Sequence, residues 1–415
     1  MSDSDSVARR RVFYIPGYDP IHPRRYRELY RKEGAAQAAI SGYRLSLSPK
    51  TSGGAYGWHV EAEMDGARVA ADVEVLVWSD IVRSSMSNSI PATYLQLWRT
   101  AWEYIATGAL FRLMKLRKGP VIAALYPVGM LLLQLVLAVG AGWAIYALTS
   151  LLVPWLGLAA RAAGGALGLA ALWGLLRWFQ RIDGKLFAYY LMHDYAYSAR
   201  HRGANPPELE TRMAQFGETI AAALREEVDE VLVIGHSSGA HLAVSILADL
   251  IRSGRVPDEG PKLAFLSLGQ VVPMVSFLRG AWRLRADLAY LSTQDALTWV
   301  DVTAPGDGCA FALCDPVSVS GVAPAGKRWP LVFSAQFTRS LSPARWKELR
   351  WRFFRLHFQY LCAFDAPLDY DYFRITAGPQ TLAQRYAQRP PSASRLEAPV
   401  NRFTSTSPDI PVRAA

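Results

Sequence analysis

The chain has 415 residues, a formal net charge of +10, 51% hydrophobic residues and three cysteines. That length supports one large domain or two ordinary ones with a substantial core. Cys309, Cys314 and Cys362 form neither a disulfide framework nor a metal-ligand spacing, which argues against a stapled secreted module and suits a reducing compartment. The surplus cations are densest at Arg9–Arg11, at Arg24, Arg25 and Arg27, and from Lys347 to Arg355. No nucleic-acid reader motif accompanies them, so they fit a solvated surface or anionic lipid head groups and no nucleic acid is expected.

Residues 1–10 are expected to be disordered, and their polar start has no apolar segment of the signal-peptide kind. Residues 11–90 read as the first part of an α/β domain. A short buried strand, Arg11–Ile15, leads into Pro16-Gly17-Tyr18-Asp19, and Pro23–Ile40 is a helix candidate. Tyr43–Leu47, Gly57–Met64 and Val69–Trp78 read as strands, the last two joined by an Asp65-Gly66 hairpin turn.

Residues 91–190 differ in composition and read as an insertion. Val121–Leu148 carries no charge, and Leu151–Leu176 carries only Arg161. Each exceeds the ~20 apolar residues that a membrane-spanning helix needs, so transmembrane helices are expected at about 121–148 and 151–178. Arg112, Lys115, Arg117 and Lys118 precede the first; Arg177, Arg181 and Lys185 follow the second. Positive flanks at both ends place both termini and the folded domain in the cytoplasm, at the cytoplasmic (inner) membrane. Small residues at four-residue spacing (Ala138 and Gly142; Ala160, Gly164 and Gly168; Ala170 and Gly174) would let the two helices approach. Trp143, Trp155, Trp173 and Trp178 are candidate interface anchors.

Residues 191–388 alternate helix and strand again, which means a mostly parallel sheet covered on both faces. Helices are expected at Leu186–Arg200, from Pro206 to about Val228, at Ala240–Arg252 and at Ala281–Leu291. Strands are expected at Val231–Ile234, Leu263–Leu268, Leu297–Thr303 and Leu331–Phe337. From 389 to 415 the chain is rich in Pro, Ser, Thr and Arg and is expected to be disordered.

The chemistry centres on Val231-Leu-Val-Ile-Gly235-His236-Ser237-Ser238-Gly239. Four apolar residues, three of them β-branched, run into a serine flanked by glycines, and an Ala-rich helical pattern follows. A serine on such a strand–turn–helix is lifted clear of its neighbours, and the Ser238 amide sits where a helix N-terminus can hold an oxyanion. Through Gly235, Ser237 and Gly239 this stretch resembles the α/β-hydrolase superfamily. The resemblance covers the core strands on either side of the serine, not the insertion or the tail. It implies a Ser–acid–His chain order and a second oxyanion donor after an earlier strand. That donor is assigned to the Tyr18 amide, with Pro16 standing where the superfamily often has histidine.

Only His241 and His357 follow Ser237. His241 lies one helical turn on and reads as a packing or pocket residue, so His357 is the base. Asp307, in the Pro-Gly-Asp-Gly turn after a strand, is the acid; Asp301 within the strand is the fallback, and Asp315 reads as a turn residue before Pro316. The reading is a membrane-anchored serine hydrolase acting on an ester-type substrate, lipid or acyl in kind, with no metal and no cofactor. Its partners are a lipid bilayer and a small acyl or ester substrate. The alternatives are a catalytically inactive scaffold of the same fold, and an acyltransferase or peptidase with the same triad. The aromatic segments 94–111 and 186–197 are candidates for a lid.

Overall fold

The computed structural model describes residues 6–50, 53–86, 89–152 and 157–408. Eight strands form one mixed sheet: β1 (Arg9–Ile15), β2 (Arg44–Pro49), β3 (Gly57–Met64), β4 (Ala67–Val75), β5 (Glu230–His236), β6 (Lys262–Leu268), β7 (Leu297–Thr303) and β8 (Leu331–Ser334). Their order is β2-β3-β4-β1-β5-β6-β7-β8. β2, β3 and β4 form an antiparallel meander at one edge, and every pairing from β4 through β8 is parallel. The Asp65-Gly66 turn joins β3 and β4 as expected. β8 stops at Ser334, short of Phe337, because Gln336 turns out of the strand with φ 50°.

Both faces of the parallel part are covered, so its strands are apolar throughout rather than alternating. Val12, Tyr14, Leu232, Ile234 and Leu266 point to one core, which packs under α1 (Arg24–Ser41) and the C-terminal aromatic segments. Phe13, Ile15, Val231, Val233 and Phe265 point to the other. The helices Pro207–Ala223, Ser238–Arg252 and Trp282–Leu291 close that second face.

The insertion lies between β4 and β5 and is entirely helical in its regular structure. It comprises α2 (Ile90–Ala106), α3 (Ala109–Leu116), α4 (Lys118–Leu152), α5 (Gly157–Arg181), a short turn at Asp183–Leu186, and α6 (Ala188–Arg200). After it come α7 (Pro207–Ala223), α8 (Ser238–Arg252) and α9 (Trp282–Leu291). α4 and α5 are long and apolar enough to cross a membrane, and only 28% and 17% of their most apolar stretches are buried. A core helix of a soluble protein would hide most of that surface.

α4 and α5 meet backbone to backbone. A Cβ added at Gly142 would lie 2.7 Å from the Gly168 carbonyl oxygen, and one at Gly168 would lie 2.6 Å from that of Gly142. Ala138, Ala160 and Gly164 are buried along the same seam. Ala170 and Gly174 are not; both face outward. They sit two residues from the seam line of 160, 164 and 168, about 200° round the helix, and the seam continues instead to Leu176. Trp143, Trp173 and Trp178 are exposed, while Trp155 lies outside the described residues.

Three expectations from composition are corrected. Residues 6–10 are ordered: Val7 is buried, its N–H reaches the Pro379 carbonyl at 2.8 Å, and the strand begins at Arg9. The Arg9–Arg11 run is largely structural, since Arg10 is buried and bonded to Glu230 at 2.6 Å, and Arg11 pairs with Glu74 and Glu226. Residues 389–408 form an extended strap rather than a disordered tail. The Leu396 N–H donates to Leu313 at 2.7 Å, and Asn401 and Ser405 bond to Ser276 and Arg285. Such a segment has no hydrophobic period to read, because loops of the domain supply its backbone partners.

Gly142→Ile should separate α4 from α5 and lower the thermal midpoint of the detergent-solubilised protein by several degrees. Gly174→Ile, where an added Cβ meets nothing within 4 Å, should leave it within a degree. Thermal scans of both variants read the difference.

Candidate active site

β5 is buried along its whole length and ends at Gly235-His236. Ser237 then adopts φ 56° and ψ −122°, a conformation that costs a non-glycine residue energy and persists only where surroundings impose it. The two flanking glycines make the turn possible. A Cβ at Gly235 would lie 2.6 Å from Ala240 Cα, and one at Gly239 would lie 2.1 Å from the Ile15 carbonyl oxygen. α8 therefore packs on the ends of β5 and β1 with its N-terminus, Ser238, beside Ser237.

Parallel pairing of Ile15 with Gly235 brings the loop after β1 to the same place. Gly17 lies against the serine, with space of only 3.0 Å between an added Cβ and Ser237 Cβ. The loop is pinned from two sides. Trp78 Nε1 donates to the Pro16 carbonyl at 2.9 Å, and the Tyr190 hydroxyl, from α6, donates to the Tyr18 carbonyl at 2.6 Å. The Tyr18 ring turns into a cluster with Trp78, Tyr190 and Tyr197.

Asp307 and His357, fifty residues apart, meet. The Asp307 turn follows β7, and His357 closes the short helix Phe353–His357, so it lies in a helix and not a loop. His357 Nδ1 is 2.7 Å from Asp307 Oδ2, and both side chains are buried. The Tyr360 hydroxyl donates to the same oxygen at 3.1 Å, and the Cys309 N–H donates to Oδ1 at 2.9 Å. With Nδ1–H committed to the carboxylate, Nε2 carries the imidazole's free lone pair. It is buried without a hydrogen-bond partner, and His357 and Ser237 line the same cavity. The structure thus joins Asp307 to His357 and faces His357 across that cavity from Ser237; a Ser237–His357 hydrogen bond is not formed.

Four residues near the centre were assigned no such part by the sequence reading. His236, in the turn before the serine, bridges Tyr14 at 3.2 Å through Nδ1 and the His357 carbonyl at 3.0 Å through Nε2. Burial, then the neighbouring His357, hold its pKa well below the usual histidine value. The neutral ring donates from Nε2 and accepts at Nδ1. Tyr360 supports the acid as described. Gly269, after β6, has φ 52°, and a Cβ there would lie 2.7 Å from Tyr360 Cε2 and 3.0 Å from His357 Cε1. Asp194, on α6, lines the same cavity as Ser237 and His357. Burial pushes its carboxyl up to about 7, against the pull of His357. None of the four carries a local motif, since each acts through a contact distant in sequence.

The remaining candidates lie elsewhere. Asp301 is buried in the sheet with Oδ1 2.6 Å from Ser267 Oγ, and burial raises it to about 8. Asp315 caps the short helix Pro316–Val319 and pairs with Lys327. His241 is a buried pocket residue lowered by burial to about 4, in a small cavity with Ser238 and Asp194. From the segments considered as a lid, Phe187, Leu191 and Asp194 wall the cavity above Ser237, joined by Tyr104.

Asp307, Cys309 and His357 place potential ligand atoms within 4.8 Å of one another. The donor set suits a metal poorly. Asp307 already accepts three hydrogen bonds. Comparison with family models, with curated proteins and with solved structures finds no match to this chain.

The raised pKa of Asp301 has a consequence for stability. Unfolded, the group titrates near 3.9; folded, it titrates at about 8. Between those values the folded chain holds a proton that the unfolded chain releases, so stability falls as pH rises from about 4 to about 8. Asp301→Asn removes this contribution. The thermal midpoint of the wild type should drop more steeply between pH 5 and pH 8 than that of the variant.

Proposed function

We propose that this chain is a serine hydrolase of the α/β-hydrolase type. More particularly, we read it as an esterase-like enzyme that cleaves an acyl ester through Ser237, His357 and Asp307 while its α4–α5 hairpin anchors it in a membrane. The observation that carries the reading is the meeting at one cavity of two features. One is a serine held at positive φ on a strand–helix turn; the other is an imidazole fixed by a buried carboxylate with its second nitrogen unpartnered. The chain order Ser, Asp, His is that of the superfamily, and the site lies at the carboxyl ends of parallel strands.

In the proposed reaction, Ser237 Oγ bonds to the substrate carbonyl carbon as its proton passes to His357 Nε2. The carbonyl electron pair moves onto oxygen, where the amides of Ser238 and Tyr18 receive it. One such donor is worth on the order of 10²–10³ in rate. Asp307 stays ionised and holds the imidazolium in place. Collapse of the intermediate expels the alcohol oxygen, which takes the proton from His357. Water then repeats the sequence on the acyl-enzyme and releases the acid and the free serine.

The membrane part of the reading rests on length and exposure. At 1.5 Å per residue α4 reaches about 50 Å and α5 about 37 Å, against a hydrocarbon core of about 30 Å. The cationic flanks 112–118 and 177–185 favour the cytoplasmic side for both ends. Two of those cations also tie the insertion to the sheet domain, since Arg112 donates to Val400 and Arg117 to Ala312.

Membrane fractions treated with a fluorophosphonate should show covalent labelling that is lost in Ser237→Ala. Asp307→Asn should slow it by on the order of 10⁴-fold, and a chelator should leave it intact. Wild-type protein that is folded and inserted but does not label would favour the inactive scaffold. Gly269→Ala, by pressing on His357 and Tyr360 without removing a reacting group, should slow labelling by on the order of 10²-fold.

A further inference from the structure

Ser237 and His357 stand where two cavities meet, both with mainly apolar walls and the second richer in charged side chains. The first, 770 Å³ in volume, extends from the serine toward the first turns of α4. Ile122, Ala123, Leu191, Val271, Met274 and Phe353 are among its walls. The second, 1030 Å³, extends the other way between α1 and residues 345–362, among Asp19, Arg25, Lys32, Glu33, Arg345 and Glu348. The two share Phe187, Asp194, Ser237, Phe354, Arg355 and His357. One end of a bound molecule would therefore meet a nearly uniform apolar wall, the other a wall in which apolar surface alternates with charged side chains.

The outer rim of the apolar cavity is itself apolar. Ile122 is 63% exposed, Trp351 72%, Phe353 45% and Phe187 41%. Ile122 lies in the first turns of α4, where the long apolar helix begins. Those turns are fixed against the acid-bearing loop: a Cβ at Gly119 would lie 3.3 Å from Gly308 Cα, and one at Gly308 would lie 3.0 Å from Phe353 Cδ1. The mouth thus opens beside a candidate membrane span, ringed by large apolar side chains with Arg350, Arg352 and Arg355 around them. Exposed aromatics beside cations are the side chains that settle at a lipid–water boundary. A pocket of this volume falls in the range that encloses a whole small ligand.

We propose that the substrate is a membrane amphiphile, a medium- or long-chain acyl ester of a polar alcohol, whose chain enters sideways past Ile122 and Phe353 into the apolar cavity. Its ester then lies at Ser237 and its head group in the charged cavity. This rests on the serine hydrolase reading and adds to it the substrate class and the route. The charged side chains of the second cavity are of both signs, with Arg25 paired to Asp19 and Arg345 close to Glu33, which suits a neutral or zwitterionic head group rather than a polyanion. Hydrolysis leaves the alcohol in the second cavity and the acyl group in the first, so the two products depart by different openings.

The test has two arms on the full-length protein. In the first, detergent-purified enzyme hydrolyses p-nitrophenyl esters from acetate to octanoate, kept below their aggregation limits. kcat/KM should rise by about two- to fourfold per methylene, the transfer value for a buried CH₂. Ala123→Trp and Val271→Trp, which fill the apolar cavity, should each lower the octanoate-to-acetate ratio at least tenfold, with thermal scans confirming the fold. Ser237-dependent hydrolysis that is flat with chain length, or ratios unchanged in both variants, overturns the amphiphile proposal and leaves the hydrolase reading standing. In the second arm, Ser237→Ala in phosphatidylcholine vesicles is irradiated with an acyl ester bearing a diazirine at its chain end. Crosslinks within 119–126, 271–275 and 351–354 support the proposal, and would do so even if no ester were cleaved. Crosslinks confined to the outer faces of α4 and α5 overturn it.

Discussion

The site depends on β1 and β5 lying side by side with their carboxyl ends level. Their pairing sets Ile15 opposite Gly235, and from that register three things follow together. Gly17 arrives against Ser237, Gly239 can seat α8 on the Ile15 carbonyl, and the serine is forced into its positive-φ turn. A slip of one residue would invert every side chain between the two cores, so the packing of Val12 and Tyr14 on one face and Phe13 and Ile15 on the other defends the register. The strained serine is stable because two hydrophobic cores would have to be disturbed to relax it.

Buried charge is treated differently at each acidic group near the site. Asp307 has three donors, from His357, Tyr360 and the Cys309 amide. Asp301, a few residues away in the same strand-and-turn, has one oxygen on Ser267 and the other unpartnered, and its proton is held accordingly. Between these stands Asp194, pushed up to about 7 within reach of the His357 field. Asp307 and Asp301 are both buried and differ in the number of donors that reach them. His236 completes the arrangement from the other side. Kept neutral, it holds the His357 backbone without placing a second positive charge beside the imidazole.

Much of this was legible in the chain. The β5–turn–α8 segment carries its signal locally, in β-branched residues followed by glycines whose steric need the structure makes explicit. Counting singles out His357, since only two histidines lie after the serine and one of them is on the serine's own helix; Asp307 is read from its turn at the end of a strand, and the structure brings the two together. Gly269 and Tyr360 were out of reach, because their importance lies in what they touch across the sheet. The strap of residues 389–408 and the first ordered residues 6–10 misled for a related reason. Low hydrophobicity argues against a segment folding alone, but not against its being held by a domain that has already folded. On α5, four-residue spacing of small side chains named two stripes, Ala160–Gly168 and Ala170–Gly174. Only contact with α4 distinguishes the seam from the outward face.

The insertion packs against the sheet domain at the site itself. α4 begins against Gly308, next to the residue that holds the base, and Arg117 reaches the Ala312 carbonyl of the same loop. α6, at the other end of the insertion, sends Tyr190 to the Tyr18 carbonyl and Asp194 into the cavity. The two chain segments that enter and leave the hairpin therefore brace the acid loop and the β1 loop, the two parts of the site that the sheet alone leaves unsupported. Cutting out residues 91–190 would remove those braces along with the apolar helices. A truncated domain should accordingly lose the geometry around Ser237 before it loses the sheet, since β1, β4 and β5 pair without help from the insertion, whereas the loops at their ends do not.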